Sequence, residues 1–395
     1  MSAVPVLDAA AALQVAAELG AVFAKGAAQR DAERGTPYEE VAALKASGLL
    51  AVTVPAEHGG ADLPVAVLAE VFRLLAAGDP SIAQIPHSHF VYVNLLKHQG
   101  TPAQQARLFA EVLAGASFGN AQSEIGTKHV RDHRTTMVEH PDGEWRLSGE
   151  KGYCTGALFA DWIPVLTHRG VDGPMVVAWV PRTADGLEVV DDWAGMGQRT
   201  TASGTVTLRE VRVDPELVTG YAETFTGPQT YGAFAQVLHA ALDAGIARAA
   251  LTEAAEFVTT KSRPYPDAGV ARATDDPLVV HAFGQMEVSV RACELLVAAA
   301  ASAIDAADAD LTEESAGAAS LAVAAARAAT TEASVSVSSR LFEVAGTRSA
   351  LDSLNLHRHW RNARTHTLHD PASWKVQHLG RWALEGVLPP NHGQL

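Results

Sequence analysis

The chain has 395 residues, of which 48% are hydrophobic, and this is enough material for two or three domains with substantial cores. Its 45 acidic and 30 basic side chains give a formal net charge of −15, which disfavours nucleic acid or an anionic membrane as a partner. Cys154 and Cys293 are the only cysteines, so neither a disulfide framework nor a four-thiolate metal site can form within one chain. These numbers favour a small-molecule ligand and a cytoplasmic location.

Residues 1–117 are predicted to form a helical domain. Segments such as YEEVAALKASGLL and LPVAVLAEVFRLLAAG repeat apolar residues at intervals of three and four. The first 20 residues contain Asp8 and Glu18 and lack a basic start, which argues against a secretory signal. The Ala-rich runs elsewhere are shorter than the ~20 residues of a membrane span.

Residues 118–225 are predicted to form a middle β domain, a barrel or a sandwich. RTTMVEH and EWRLSGEKGY flank the turn sequence PDG, and DWIPVLTHR and PMVVAWVPR flank VDG, so each pair predicts a hairpin. GTVTLREVRV adds a strand of alternating character. The neighbouring GMGQRT lacks a third glycine and a following helix, so we interpret it as a turn and not as a nucleotide loop.

Residues 226–395 are predicted to form a helical bundle. Two Ala-rich segments, beginning at PLVVHAFG and AGAASLAV, are each roughly twice the usual helix length of 10 to 14 residues. Helices of this length are typical of four-helix bundles and often lie at a subunit interface. The predicted fold class is therefore α+β and multidomain, with helical, β and helical parts in that order.

The run HRHWRNARTHTLHDPASWKVQH, residues 357–378, contains five histidines. No histidine in the chain follows a Glu by three positions and no His-Glu-x-x-His motif occurs, so a metal site is not expected. Asp370 and Pro371 are typical of a helix N-cap and first helical position, which predicts a helix end near His369 and a restart after it. Read alone, the histidines fit a polar helix surface as well as a functional site.

Two segments of the β domain carry small polar side chains at predicted strand ends. NAQSE, residues 120–124, and YCTG, residues 153–156, could bind the polar edge of a planar heterocycle, although ordinary turns use the same residue types. Cys154 has no nearby histidine or acidic partner in the sequence, so a packed thiol is favoured over a nucleophile.

Taken together, these stretches resemble the acyl-CoA dehydrogenase family over nearly the whole chain. The resemblance rests on GNAQSEIGTKH, LSGEKGYCTG, GMGQRTTASGTVTLREVRVDPELV, AGTRSA and WRNAR, in this order. It implies an acyl-CoA dehydrogenase-like fold with a flavin between the β domain and the C-terminal bundle, completed by a neighbouring subunit in a homo-oligomer, with a tetramer expected.

One departure from the family pattern points to a branch. Where dehydrogenases carry a glutamate base, this chain reads His369, Asp370, Pro371 and Ala372. HRHWRNARTHTLHDP and DPSIAQIPHSHF instead resemble the flavin-dependent monooxygenases of this fold, such as dibenzothiophene monooxygenases and sulfur-acquisition oxidoreductases. That branch implies reduced FMN from a separate flavin reductase, with FAD as the other candidate, and transfer of oxygen from a C4a-hydroperoxide to a small organosulfur compound.

The resemblance also implies roles for individual residues. His369 would relay a proton through a charge transition near the working pH, Thr155 would lie near flavin N5, and His89 would face the same pocket. The implied flavin-ring contacts are Asn120, Ser123, Tyr153 and Thr155, the implied phosphate contacts are Arg263, Gly346, Thr347 and Arg348, and the implied substrate-pocket residues are Tyr92, Trp193 and His366. For Trp193 a core position is an equal alternative.

Three functions follow as hypotheses. The first is an FMNH2-dependent two-component monooxygenase that takes O2 and an organosulfur substrate. The second is an FAD-dependent acyl-CoA dehydrogenase with Asp370 as its base, and the third is a catalytically silent flavoprotein that keeps the fold as a scaffold. Nitrogen or phenol hydroxylation by the same fold is also open.

Overall fold

The computed structural model describes residues 3–129 and 132–394. The N-terminal part is helical, as predicted. Thr101 begins its last helix with a capping box, because its side chain accepts from the Gln104 backbone while the Gln104 side chain accepts from the Thr101 backbone. The helices are α1 (Ala9–Ala24), α2 (Ala27–Glu33), α3 (Tyr38–Ala46), α4 (Val65–Gly78), α5 (Pro80–Gln84), α6 (His87–Gln99) and α7 (Pro102–Leu113).

The middle part is a single seven-stranded sheet. Its strands are β1 (Thr136–Glu139), β2 (Trp145–Lys151), β3 (Trp162–Arg169), β4 (Met175–Pro181), β5 (Leu187–Val190), β6 (Thr205–Val213) and β7 (Val218–Gly220). Their order is β5-β6-β2-β1-β3-β4-β7. Both predicted hairpins are confirmed, because β1 pairs with β2 and β3 pairs with β4 in antiparallel register. The two short edge strands, β5 and β7, were not predicted from the sequence.

The C-terminal part is the predicted bundle. Its helices are α8 (Tyr231–Lys261), α9 (Pro277–Ala309), α10 (Glu313–Ala345), α11 (Arg358–His366) and α12 (Ala372–Glu385). The two long Ala-rich segments are confirmed as α9 and α10, and the short helices α11 and α12 both pack against α10. The order of helices, sheet and helices confirms the predicted fold class.

The predicted capping role of Asp370 is wrong. Pro371 occupies the N-cap position of α12, and no side chain caps that helix. The Asp370 carboxylate instead accepts from Arg327 and pairs with Lys375, at 3.1 and 2.9 Å. Two cations compete for this carboxylate more effectively than a backbone N–H does, because charge-assisted hydrogen bonds are the stronger ones.

One hydrophobic core joins the N-terminal helices to the bundle, and a second fills the sheet. The first core depends on close packing of α4 against α8. Gly245 of α8 allows this approach, because a Cβ at that position would lie 2.6 Å from both the Ala76 Cβ and the Arg73 carbonyl oxygen. The contact fixes α8 against the N-terminal domain and thereby places the histidines of the two parts together.

Within the described residues, every helix is too short or too polar to cross a bilayer.

We expect the substitution Gly245→Ala to lower the free energy of unfolding by about 1 to 3 kcal/mol, because the added methyl group overpacks the contact between α4 and α8. Urea-induced unfolding followed by circular dichroism measures the change. Gly284→Ala in α9 is the matched control, since no atom lies within 4 Å of its Cβ position. It should be neutral or stabilising by up to about 1 kcal/mol. Equal effects of the two substitutions would contradict the packing argument.

Candidate active site

Four histidines from three parts of the chain form one group, which we call the histidine group: His87, His239, His366 and His369. The rings of His87 and His239 stack with centroids 3.9 Å apart, and the ring of His369 lies 4.2 Å from that of His239. His239 Nδ1 is hydrogen-bonded to His366 Nε2 at 3.0 Å. The first three residues are buried, whereas His369 is exposed.

A buried chain of charged side chains continues from this group. Asp243 lies 2.6 Å from His366 Nδ1 through Oδ1 and accepts from Arg327 at 2.6 Å through Oδ2. Arg327 also donates to Asp370, which in turn pairs with Lys375. Asp243 and Arg327 are 0% and 1% exposed, so the pair lies out of water. We call Asp243, Arg327, Asp370 and Lys375 the ionic chain.

A row of hydroxyl groups lies at the end of the sheet. Thr155 and Ser203 are hydrogen-bonded at 2.6 Å, and Ser203 and Thr201 at 2.7 Å. Thr201 then donates to the Gln198 carbonyl oxygen at 3.0 Å. The Gln198 N–H donates to the Asn362 side chain at 2.7 Å, so the row is tied to helix α11.

The predicted flavin-ring residues Asn120, Ser123 and Tyr153 meet beside this row. Asn120 donates to the Tyr153 carbonyl oxygen at 3.1 Å, and the Ser123 carbonyl oxygen accepts from Gly152 at 2.9 Å. Tyr153 has a positive φ of 56°, which is uncommon for a residue with a side chain, and the residue is 54% exposed. The two segments singled out in the sequence therefore come together.

These residues fit a planar heterocycle such as flavin. The side-chain amide of Gln198 and the Asn120 Oδ1 atom are buried and have no hydrogen-bond partner within residues 3–129 and 132–394. Buried polar groups are ordinarily paired, so unpaired ones of both donor and acceptor type suit a ligand with an edge of alternating donors and acceptors. The pyrimidine edge of an isoalloxazine ring has this character.

Two close backbone approaches join the hydroxyl row to the histidine group. A Cβ at Gly156 would lie 2.8 Å from the Ile85 carbonyl oxygen, just before His87 at the start of α6. A Cβ at Gly197 would lie 2.0 Å from the Arg361 carbonyl oxygen in α11. Thr155 and the histidine group therefore belong to one region between the sheet and the bundle.

The structure places His89 differently from its predicted role. One ring nitrogen is hydrogen-bonded to the Leu50 carbonyl oxygen at 2.8 Å, and the other accepts from the Phe118 N–H at 3.1 Å. Both nitrogens are thus engaged inside the protein. His87, two residues earlier, belongs to the histidine group instead, so the geometry favours His87 over His89 as the functional residue of this segment.

Tyr92 and Trp193 differ in their surroundings. Tyr92 is 2% exposed, packs edge-on against Trp179, and its hydroxyl group lacks a partner in the described part of the chain. Trp193 lies edge-on to Tyr153 with ring centroids 6.2 Å apart, and its indole N–H donates to the Gln198 carbonyl oxygen at 2.7 Å. Trp193 therefore lies beside Tyr153 and Gln198, next to the hydroxyl row, and not in the core.

The predicted phosphate residues come together at the opposite end of the bundle. Ser262 donates to the Ala345 carbonyl oxygen, and Arg348 donates to the Lys261 carbonyl oxygen, at 3.1 and 3.2 Å. These bonds place Arg263 beside residues 346–348, all of which are exposed. Lys261 and His239 lie in the same helix, about 33 Å apart at 1.5 Å per residue.

Desolvation keeps His87 and His239 neutral. It lowers the pKa of His87 to about 3 and that of His239 well below its ordinary value. Desolvation by the surrounding protein also lowers the pKa of His369 to about 4, although part of this residue is exposed. This lowered pKa favours a neutral His369 near pH 7 over the predicted charge transition near working pH.

The remaining candidates are settled by burial and spacing. Burial raises the pKa of the Cys154 thiol to about 12, which confirms a packed thiol. Across residues 3–129 and 132–394, no three His, Cys, Asp or Glu side chains are arranged to hold a metal ion. In the histidine group the rings of His87 and His239 stack, and those of His366 and His369 are tilted relative to His239.

Sequence reasoning missed several residues of this site. His239 and Asp243 lie four residues apart within the apolar run YGAFAQVLHAALDAG, and Arg327 follows the run LAVAAA in the Ala-rich helix α10. Ionisable residues with no water to face must find partners inside the protein, which is the signal that could have identified them. Gln198, Thr201 and Ser203 carried no such signal, because their types are ordinary in turns.

The neutral histidines predict a specific dependence of stability on pH. In the unfolded chain His87 titrates near pH 6.5, whereas in the folded chain it stays neutral down to about pH 3. The unfolded state therefore binds more protons between these values, and stability falls as the pH falls below 6.5. At pH 5 the loss is about 2 kcal/mol for this residue.

We expect His87→Asn to lose about 2 kcal/mol less unfolding free energy between pH 7 and pH 5 than the unsubstituted protein does. Urea titrations at the two pH values measure this difference. The exposed His281, replaced by Asn, serves as the control and should leave the difference unchanged. An unaltered pH dependence in His87→Asn would show that this imidazole is not held neutral.

Family profiles described as the N-terminal, middle and C-terminal domains of acyl-CoA dehydrogenase match residues 10–116, 118–211 and 237–374. Dibenzothiophene monooxygenase of Rhodococcus qingshengii is 33% identical over 381 residues, covering 92% of this chain and 90% of that protein. A probable FMNH2-dependent monooxygenase of Pseudomonas putida, SfnC, is 34% identical over 385 residues, or 96% of each protein.

Solved structures agree with these relatives. FMN-bound TdsC from Paenibacillus sp. A11-2 superposes with a TM-score of 0.92 at 32% identity, covering 97% of this chain and all of that one. Methanesulfinate monooxygenase MsuC from Pseudomonas fluorescens gives 0.89 at 32% identity, covering 97% of this chain and 99% of that one. The chain therefore belongs to the acyl-CoA dehydrogenase family, in the group that includes the dibenzothiophene monooxygenases.

Proposed function

We propose that the protein is an FMNH2-dependent monooxygenase that transfers one oxygen atom from O2 to a small organosulfur compound. The reduced FMN comes from a separate flavin reductase, and the second oxygen atom leaves as water. The observation that carries the proposal is the state of Asp370. This carboxylate occupies the place of the dehydrogenase base and is held by Arg327 and Lys375, while neutral histidines lie next to it.

Asp370 is poorly suited to abstract a proton from an acyl thioester. Burial opposes its ionisation, but Arg327 and Lys375 outweigh that effect and lower the pKa of its carboxyl group. A carboxylate with a lowered pKa that is bound by two cations is a weak base. This disfavours the acyl-CoA dehydrogenase hypothesis, and the relatives at 33% and 34% identity are monooxygenases by name.

The relatives support FMN as the cofactor and sulfur as the substrate atom. SfnC is described as FMNH2-dependent, and TdsC was solved with FMN bound. Dibenzothiophene and methanesulfinate, which appear in the names of two other relatives, are both organosulfur compounds. Reduced FMN, when bound, supplies the electrons that activate O2 at its C4a carbon.

The chain's own residues would hold and orient the flavin and exclude water from it. Asn120, Gln198 and the Thr155 hydroxyl group would bind the polar edge of the isoalloxazine ring, with Tyr153 and Trp193 as a wall. His369, neutral and next to His239, can donate one N–H into the same space. Exclusion of water from this space when the flavin is bound would protect a reactive oxygen species from release as peroxide.

The position of the proposed phosphate residues supports a site that is completed by two chains. Arg263 lies beyond the end of α8, about 33 Å along the helix from His239. FMN carries its phosphate only a five-carbon ribityl chain away from its ring, so Arg263 and Thr155 of one chain cannot bind the same molecule. We therefore propose a homo-oligomer, a tetramer by family resemblance, in which Arg263, Gly346, Thr347 and Arg348 bind the phosphate of a partner's FMN.

The purified protein, supplied with FMN, NADH and a flavin reductase, should oxygenate a thioether, sulfinate, sulfoxide or thiophene in an O2-dependent reaction. His369→Ala should raise the share of O2 that is released as hydrogen peroxide, because a hydrogen-bond donor is lost from the pocket. Product is measured by mass spectrometry and peroxide by a coupled peroxidase assay. The exposed His281→Ala serves as the control. Bleaching of bound FAD by acyl-CoA, without oxygenation of any sulfur compound, would refute the proposal.

The substitution Arg263→Met should weaken FMN binding on the order of 10- to 100-fold, since a charge-assisted phosphate contact contributes about 1.5 to 3 kcal/mol. Riboflavin, which has the same ring and no phosphate, should bind equally well to both proteins. Fluorescence quenching measures both affinities. Arg272→Met, at an exposed arginine of the same loop, is the control. Equal weakening of FMN and riboflavin would exclude a phosphate contact.

A further inference from the structure

Asp243, His366 and His239 form a line of three hydrogen-bonded groups. Asp243 Oδ1 lies 2.6 Å from His366 Nδ1, and His366 Nε2 lies 3.0 Å from His239 Nδ1. All three side chains are buried, so water does not compete for these bonds. Both ring nitrogens of His366 are hydrogen-bonded. Each nitrogen must carry a proton if its partner accepts and a lone pair if its partner donates.

The carboxylate sets the direction of the first bond. Asp243 is ion-paired with Arg327 and can only accept, so His366 Nδ1 carries the proton and donates it. Charge balance determines the direction of the second bond, between His366 Nε2 and His239 Nδ1. The ionic chain holds two cations, Arg327 and Lys375, against Asp243 and Asp370, so a protonated His366 would leave one uncompensated buried charge.

A neutral His366 with its proton on Nδ1 has a lone pair on Nε2. His239 Nδ1 must then donate to it, and His239 Nε2 is left without a proton. His87 follows the same logic, because its Nε2 lies 2.9 Å from the Ala235 carbonyl oxygen, which only accepts. His87 Nδ1 is therefore also an acceptor.

Neither His239 Nε2 nor His87 Nδ1 is hydrogen-bonded to another described residue. The two rings are stacked with centroids 3.9 Å apart, so their free acceptor nitrogens belong to one small region beside His369. A bound group with an O–H or N–H can satisfy them, whereas a bare acceptor cannot.

We propose that Asp243 is a positioning residue that acts through His366 and makes His239 Nε2 a hydrogen-bond acceptor of the active site. Arg327 holds Asp243 in place and links it to Asp370, the neighbour of His369. The tautomer assignment stands on its own, while the catalytic use of the acceptor rests on the proposed function.

The tautomers can be measured without any turnover. Magic-angle-spinning NMR of protein labelled with 15N-histidine distinguishes protonated from unprotonated ring nitrogens, and His239→Gln identifies the His239 signals. We expect His239 to carry its proton on Nδ1 in the unsubstituted protein. In Asp243→Asn the amide oxygen still accepts from Arg327, so the amide N–H2 faces His366 Nδ1. The protons of both rings should then move, leaving His239 protonated on Nε2.

An unchanged His239 tautomer in Asp243→Asn, or a doubly protonated His366 in the unsubstituted protein, would overturn the proposal. His366→Phe provides a second variant should Asp243→Asn fail to fold, because it keeps a flat ring and removes both nitrogens. It should leave His239 as a mixture of tautomers, and a single Nδ1-protonated form there would also overturn the proposal. Asp275→Asn, at an exposed aspartate, is the matched control and should change no signal of the histidine group.

Turnover provides the second readout. Asp243→Asn should lower kcat about tenfold and raise the share of O2 released as peroxide, with little change in the KM for the sulfur substrate. A purely structural role would instead lower the melting temperature and leave the peroxide share unchanged, and that result would overturn the positioning role. If the unsubstituted protein oxygenates no sulfur compound, the proposed function fails while the NMR result still decides the tautomer assignment.

Discussion

The buried pair of Asp243 and Arg327 is the interaction on which the arrangement of the site depends. Each side chain is at most 1% exposed, so neither charge is tolerable without the other. Asp243 lies in α8 and Arg327 in α10. Asp243 is also hydrogen-bonded to His366, and Arg327 also donates to Asp370 and Gln236. One ion pair thus connects two long helices, the short helix α11 and the segment that follows it.

The ionic chain also explains why this branch differs chemically from a dehydrogenase of the same fold. A base must be free to take a proton, whereas Asp370 is committed to Arg327 and Lys375. Nearby, desolvation keeps His87 and His239 uncharged. The region therefore combines a fully paired set of charges with a set of neutral rings, which suits hydrogen bonding to a polar adduct better than removal of an acidic C–H proton.

The order of helices and strands, the two hairpins and the long Ala-rich helices could all be predicted from local patterns. Periodicity and turn residues act over a few positions and are visible in the sequence. The short edge strands β5 and β7 were missed because pairing to a neighbour, and not their composition, makes them strands. The prediction that Asp370 caps a helix was wrong for a similar reason, because the tertiary fold brings Arg327 and Lys375 to this carboxylate.

The residues of the candidate site also fall into two groups, those with a local signal in the sequence and those without one. Asn120, Tyr153 and Thr155 carried a local signal at strand ends and do meet in space. His239, by contrast, gains its neighbours only when α8 packs against α4, so no window of sequence could pair it with His87. The PHSHF segment contains His87 and His89, and the sequence does not say which of them is functional. Only the contacts of each ring in the folded protein distinguish them.

Because Gly197 has no side chain, its backbone lies directly against helix α11, and this contact limits how the site can move. Its backbone lies so close to that of Arg361 that the turn and helix α11 touch without any intervening side chain. Backbone surfaces in such contact cannot slide or separate by small steps without breaking the Gln198 to Asn362 bond. At this contact the distance between the turn and helix α11 is therefore fixed, whereas the neighbouring side chain of Tyr153 is exposed.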